Sequence, residues 1–233
     1  MSKKNKALFI SIIIFCVVQI LTTTLIAIIE IKNLFNANSL RFVSIIACFL
    51  FSWLGFKKKN SCFIIGGLAF TLLADYFLLI IRNYYVLGIC SFLVTQTFYF
   101  VYIWPKHLKI SLITRGTLFL LILTLLLIFG LNDITVIIAA FYFINLVVNT
   151  IDAYISINKG LLFFAIGLTL FILCDIFVFL YNCSDYIRIE SEFLDVLIKY
   201  SLVGCWIFYI PSQALITISS ILRSKLNSAA YRK

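Results

Sequence analysis

The sequence contains little charge and few residues that interrupt helices. Charged residues make up 12% of its 233 positions, there are only 2 prolines and 9 glycines, and 64% of the residues are hydrophobic. A soluble domain is nearer half apolar and a quarter charged, and a core of this size could not hide so much apolar surface from water. So few prolines and glycines also exclude a disordered or low-complexity chain.

The apolar residues form eight runs of about 20 residues, the length that crosses a bilayer as a helix. These runs are too long, and alternate too weakly, for transmembrane strands. The first run is also too long for a signal-peptide core, so we expect it to remain as an anchor. We predict an all-α, polytopic membrane bundle in which residues 1–233 form a single transmembrane domain. The predicted spans lie near 7–29, 39–55, 61–81, 85–104, 111–129, 133–152, 160–181 and 199–220.

Basic residues lie mainly on one side of the predicted bundle. Fourteen of the 19 Lys and Arg residues, including Arg115, fall on the side of both termini. Because Lys and Arg are retained in the cytoplasm, we expect both termini to be cytoplasmic in an integral cell-membrane protein. The small basic clusters at span ends argue against nucleic-acid binding. The five basic residues on the other side are Lys32, Arg41, Arg82, Arg188 and Lys199.

Residues that bind metals or act as nucleophiles are scattered. The 7 cysteines include no CxxC pair, and the only histidine, His107, lies in the basic loop 105–109. A thiol inside an apolar span behaves as a small hydrophobic group. We therefore expect no disulfide framework, no metal site and no cofactor.

Two segments of the chain resemble each other. Residues 67–78 align with residues 167–178 without a gap, at an offset of 100 residues, and Gly, Leu, Leu, Asp and Phe coincide. Each copy contains one aspartate, Asp75 or Asp175. The segments belong to spans three and seven, which cross the membrane in the same direction. This pattern indicates a parallel duplication of a four-helix unit.

The two aspartates are expected at the same depth in the bilayer. Asp75 and Asp175 each precede the outer end of their span by six residues, or roughly 9 Å at 1.5 Å per residue. We expect no Lys or Arg at that depth, and an ionised acid within a span costs about 2.5–3.5 kcal/mol. At least one carboxyl should then be neutral, and a neutral acid beside an ionised one suits general acid/base hydrolysis. The simpler alternative is hydrogen bonding between helices.

Further polar side chains could line the same cavity. Residues three or four apart share a helical face. In span eight, which also carries Tyr209, Pro211 frees a backbone carbonyl near the amide of Gln213. Each residue alone is typical of helix packing, but together they predict a polar centre. They are Gln96 and Tyr99 in span four, Tyr142 and Asn149 in span six, and Gln213 in span eight.

Short motifs carry a resemblance over the whole chain. Span three reads Ala74-Asp75, span four Gly88-x3-Phe92-x3-Gln96-x2-Tyr99, span seven Cys174-Asp175, and span eight Ser212-Gln213. In order and spacing this resembles the YhhN family of membrane proteins, whose characterised members are lysoplasmalogenases. The family pattern has Gly in place of Ala74 and His in place of Gln96.

The resemblance implies hydrolysis of the vinyl-ether bond of a lysoplasmalogen, an amphiphilic lipid that would enter from the bilayer. The products would be a fatty aldehyde and glycerophosphoethanolamine or glycerophosphocholine. Asp75 and Asp175 would act as acid and base, with the other polar residues binding substrate. Gln96 cannot titrate, so two alternatives stay open: a catalytically silent lipid-binding protein, or a proton-coupled transporter.

Overall fold

The structure is a computed structural model that describes residues 3–56, 60–157, 161–183 and 192–230. These residues form helices and no strand, and eight helices are long and apolar enough to cross a membrane. The prediction of an all-α bundle of eight spans is thus confirmed. The helices are α1 (Lys3–Ile31), α2 (Asn38–Ser52), α3 (Ser61–Asp75), α4 (Tyr85–Ile103), α5 (Leu108–Ile128), α6 (Ile134–Ile155), α7 (Leu162–Cys183) and α8 (Glu192–Ala230).

Two short segments prolong helices at their ends. A 3₁₀ turn, Trp53–Gly55, follows α2, and a π-helix, Tyr76–Ile81, follows α3. The largest difference from the predicted bounds is in α8, which is 39 residues long and extends past both ends of the predicted span 199–220.

The contacts between helices place α8 at the centre of the bundle. It packs against α7, α1, α2 and α3, and it is the most buried span, whereas α5 packs mainly on α6 and is the least buried. Large apolar side chains cover the outward faces of the helices, as expected where lipid replaces water. The pairing of neighbouring helices repeats at an interval of four helices. Helix α3 packs on α4 as α7 packs on α8, and α2 packs on α3 as α6 packs on α7. A duplication would produce this pattern, and it stays a prediction.

Glycines of the repeated motif lie where helices approach closely. A Cβ added at Gly67 would lie 2.4 Å from the ring of Tyr99 on α4, and one at Gly167 would lie 2.9 Å from Ile216 on α8. Only a residue without a side chain allows such contacts. The two copies of the motif therefore use their glycines in the same way, to bring α4 against α3 and α8 against α7.

The change from α- to π-helix begins directly after Asp75. The backbone N–H of Arg82 donates to the carbonyl of Phe77 at 2.8 Å, an i to i−5 bond that closes the wider turn. π-Helical turns are rare and are frequent at functional sites. Here the wider turn ends α3 at one of the two predicted catalytic residues.

The N-terminus of α6 is capped by Asp133, whose carboxylate accepts the backbone N–H of Thr135 at 2.6 Å. Hydrogen bonding to Thr135 lowers the pKa of the Asp133 carboxyl below its usual value. A lowered pKa in the folded state stabilises the protein above the unfolded pKa, about 4. That contribution is lost as the pH falls through the folded value.

We therefore expect Asp133→Ala to lower the melting temperature slightly at pH 7, with a smaller difference at about pH 3. Asp133→Asn keeps an acceptor for Thr135 and should lower it less, without that pH dependence. Thermal unfolding of the detergent-purified variants at both pH values measures this. An Asp133→Ala effect of equal size at both would contradict the ionised cap.

Candidate functional site

Asp75 is held by a tyrosine from the other end of the sequence. The Tyr209 hydroxyl on α8 donates to Asp75 Oδ2 at 2.8 Å, and both side chains are 3% exposed. The carboxyl thus lies inside the bundle, between α3 and α8, and has a fixed hydrogen-bond donor.

Asp175 has a similar partner on a different helix. The Tyr142 hydroxyl on α6 donates to Asp175 Oδ2 at 2.7 Å. Tyr142 is buried, whereas Asp175 is partly exposed. Each predicted catalytic carboxyl is therefore bound by a tyrosine, and the two carboxyls differ in their burial.

Two phenylalanines join the tyrosine–aspartate pairs. The ring of Phe92 lies 5.6 Å from that of Tyr142 and 6.4 Å from that of Tyr209. Phe171 lies 6.4 Å and 5.4 Å from the same two rings. We call this group of Asp75, Tyr209, Asp175, Tyr142, Phe92 and Phe171 the tyrosine–aspartate site. Its polar groups come from α3, α6, α7 and α8, and its aromatic layer from α4, α6, α7 and α8.

Two buried thiols adjoin the site. The sulfurs of Cys174 and Cys205 are 3.3 Å apart, and both cysteines are free. Cys174 precedes Asp175 on α7, so the pair packs α7 against α8 beside one carboxyl. In the described part of the chain, no group of three or more His, Cys, Asp or Glu side chains could hold a metal ion.

Gln96 and Asn149 belong to a different polar cluster. Asn149 Nδ2 donates to the side-chain oxygen of Gln96 at 3.0 Å and to its backbone oxygen at 2.9 Å. Asn149 Oδ1 accepts from Arg115 Nη2 at 2.9 Å, and Arg115 forms an ion pair with Asp152 at 3.2 Å. We call Gln96, Asn149, Arg115 and Asp152 the arginine cluster. It ties α4, α5 and α6 together.

The arginine cluster contains charges that the sequence analysis did not expect inside the bundle. Arg115 was counted with the cytoplasmic charges, but it is 7% exposed, and Asp152 is 8% exposed. Ser111 also donates to Asp152 at 2.6 Å. The available signal was the position of Arg115, four residues inside the predicted span 111–129. A cavity of about 90 Å³ adjoins it, lined by Thr97, Phe100, Leu112, Arg115 and Asn145.

Tyr99 and Gln213 are both fully buried. Tyr99 packs against Gly67 and lies 5.2 Å, ring to ring, from Phe164. Gln213 is one turn from Tyr209 on the same face of α8. Within the described residues, neither its amide nitrogen nor its oxygen has a hydrogen-bond partner. Such a buried amide next to the tyrosine–aspartate site is a candidate ligand for water or substrate.

A second charged pair lies on the opposite side from the arginine cluster, where α1 ends and α2 begins. Arg41 forms an ion pair with Glu30, and its guanidinium stacks 4.3 Å from the ring centre of Trp206. The Trp206 ring lies 5.5 Å from that of Tyr209. Arg41, one of the five basic residues counted on the side away from the termini, is 4% exposed and lies inside the bundle. The pairing with Glu30 and Trp206 explains how it is buried.

These features define a polytopic helical membrane protein with a buried tyrosine–aspartate site. Residues 16–220, most of the chain, match the YhhN family. The chain therefore belongs to the YhhN family, and the resemblance drawn from its motifs is confirmed. No curated protein and no solved structure significantly matches the chain.

Proposed function

We propose that this protein is an integral membrane hydrolase that cleaves the vinyl-ether bond of lysoplasmalogens. The observation that carries the proposal is the pair of hydrogen bonds from Tyr209 to Asp75 and from Tyr142 to Asp175 around one aromatic layer. Two carboxyls in different surroundings can divide the roles of acid and base. Family membership supports the reaction class, because the resemblance implies lysoplasmalogenase activity.

We assign the role of base to the partly exposed Asp175 and the role of acid to Asp75, which is 3% exposed. Its proton would pass to the outer carbon of the vinyl ether, the carbon not bonded to oxygen. The product is an oxocarbenium ion, whose charge is shared between the other carbon and the ether oxygen. The ionised Asp175 and the aromatic faces of Phe92 and Phe171 would stabilise that cation.

Asp175 would then take a proton from water as the water oxygen bonds to the cationic carbon. The resulting hemiacetal breaks its bond to the glycerol oxygen. Asp175 gives its proton to that oxygen, and Asp75 takes the proton of the hemiacetal hydroxyl as the aldehyde forms, so both carboxyls return to their starting states. One water is consumed, and fatty aldehyde and the glycerophospho-base are released. Gln213, with its buried amide one turn from Tyr209, would hold the water.

The proposal includes an orientation. With both termini in the cytoplasm, as the excess of basic residues favours, the end of α3 and Arg41 would lie toward the outer leaflet of the cell membrane. The substrate would enter from the bilayer, and its head group would stay near the outer interface.

The test is fatty-aldehyde release by the detergent-purified protein from a lysoplasmalogen. The control substrate is the matching lysophospholipid with a saturated ether, which cannot form the oxocarbenium ion by protonation at carbon. We expect aldehyde from the first lipid alone. Absence of turnover in well-folded protein would exclude the hydrolase for this substrate.

A catalytically silent lipid-binding protein is the second candidate, and Gln96 favours it. The side chain of Gln96 accepts from Asn149 and cannot carry a proton. Gln96→His would separate the two candidates if wild type gives no aldehyde. Aldehyde release by that variant would show that the wild-type protein is an enzyme that lacks one catalytic group. Lipid binding by the variant without aldehyde release would favour the binding protein.

A further inference from the structure

Two buried N–H groups near the tyrosine–aspartate site have no acceptor within the described residues. They are Arg41 Nε and Trp206 Nε1, on side chains that are 4% and 6% exposed. A buried donor without a partner costs about 1–3 kcal/mol, so native proteins rarely keep one without a reason. The two donors belong to one stack, with the guanidinium 4.3 Å from the indole ring centre.

The other contacts of Arg41 hold the guanidinium in place on the indole. Nη1 donates to Asn38 Oδ1 at 2.6 Å, and Nη2 pairs with Glu30. Asn38 is held in turn by the carbonyl of Leu79 at 3.0 Å, in the π-helix that follows Asp75. Glu30 balances the arginine charge, which lowers the cost of burying it. A fixed guanidinium edge beside a second N–H suits a phosphate oxygen.

The stack has a defined position relative to the two carboxyls. Trp206 lies one turn before Tyr209 on α8, and the rings of the two are 5.5 Å apart. Tyr209 in turn binds Asp75. In a lysophospholipid the glycerol carbons separate the ether oxygen from the phosphate, a length comparable to one helical turn of ~5.4 Å. A lipid with its ether at the carboxyls would therefore bring its phosphate to the stack.

We propose that Arg41 and Trp206 bind the phosphate of a single-chain phospholipid whose ether lies at the tyrosine–aspartate site. This inference rests on the proposed function, whose substrate it extends. The phosphate would accept hydrogen bonds from Arg41 Nε and Trp206 Nε1, and the hydrocarbon chain of the lipid would lie in the apolar part of the bundle. A glycerol ether without phosphate would lack both contacts.

The test measures equilibrium binding to the detergent-purified protein, without turnover. The probes are a radiolabelled lysophospholipid with a saturated ether and phosphocholine head group, and the matching alkylglycerol without phosphate. We expect wild type to bind the phospholipid at least ~10-fold more tightly, because hydrogen bonds to charged groups are worth that factor or more. Inorganic phosphate is the competitor: competition would assign the site to phosphate in general, and no competition would assign it to the lipid head group.

The variants remove the donors without leaving an unpaired buried charge. Glu30→Gln combined with Arg41→Gln, and separately Trp206→Phe, should abolish most of the preference for the phospholipid. Arg82→Gln is the matched control and should keep the preference. Arg82 is an exposed arginine just after the π-helix that follows α3, and it donates to the carbonyl of Leu79 at 3.3 Å.

Equal affinity of wild type for the two probes would overturn the phosphate site. So would an unchanged preference in folded Trp206→Phe, a variant that keeps the aromatic stack and the ion pair. Phospholipid binding that depends on Arg41, without aldehyde from any lysoplasmalogen, would overturn only the proposed function. Aldehyde release with no dependence on phosphate would overturn only the phosphate site.

Discussion

Asp75→Asn and Asp175→Asn are each expected to lower the turnover number for lysoplasmalogen by about 10²- to 10⁴-fold, the usual contribution of a general acid or base. Asparagine keeps an oxygen that can accept from Tyr209 or Tyr142, so the fold should persist. It can neither donate the proton to the vinyl ether nor accept one from water. Aldehyde release under single-turnover and steady-state conditions measures the loss.

Asp133→Asn is the matched control, because it makes the same chemical change at the exposed cap of α6. Its turnover should equal that of wild type. Melting temperatures of all three variants distinguish lost chemistry from lost structure. Turnover near the wild-type rate in either folded intramembrane variant would remove that aspartate from the mechanism. A loss in only one of them would leave a single-carboxyl reaction.

The spans were predictable from sequence because lipid imposes a simple rule. A chain that crosses the bilayer must satisfy its backbone within the helix and present apolar side chains outward, which makes span length visible in composition. The breaks at Arg82 and at residues 105–109 accordingly mark helix ends in the structure. The π-helix after Asp75 was not predictable, since its residues are as apolar as those of the α-helix before it.

The site was predictable only in its rarest residues. Asp75 and Asp175 are conspicuous because acids in spans are rare. Their tyrosine partners depend on packing between helices that are distant in the chain, 134 residues apart for Asp75 and Tyr209. A tyrosine is common in a span, so composition alone does not single it out. Gln96 and Asn149 were predicted to line the same cavity as the acids because they are polar. In the structure Asn149 donates to Gln96 and accepts from Arg115.

Arg115 and Asp152 are expected to stabilise the bundle as a pair, and to destabilise it when either stands alone. Each is buried, with side chains 8% and 11% exposed, respectively. Removing one partner from a buried ion pair costs about 3–5 kcal/mol, because the other keeps its desolvation penalty. At about 2–4 °C per kcal/mol for a chain of this size, Asp152→Asn or Arg115→Met should lower the melting temperature by on the order of 10 °C.

The double variant Arg115→Met with Asp152→Leu should recover most of that loss, because replacing a buried pair by apolar residues is often neutral or stabilising. The double-mutant cycle compares the melting temperatures of wild type, Arg115→Met, Asp152→Leu and the double variant. Additive losses would show that the two charges do not interact. Asn149 binds Gln96, which lies one turn from Phe92 on α4, and Asn149 itself lies two turns from Tyr142 on α6. We therefore expect the arginine cluster to influence the contact between Phe92 and Tyr142. Recovery of stability in the double variant should therefore leave turnover below that of wild type, because the hydrogen bond from Arg115 to Asn149 is still absent.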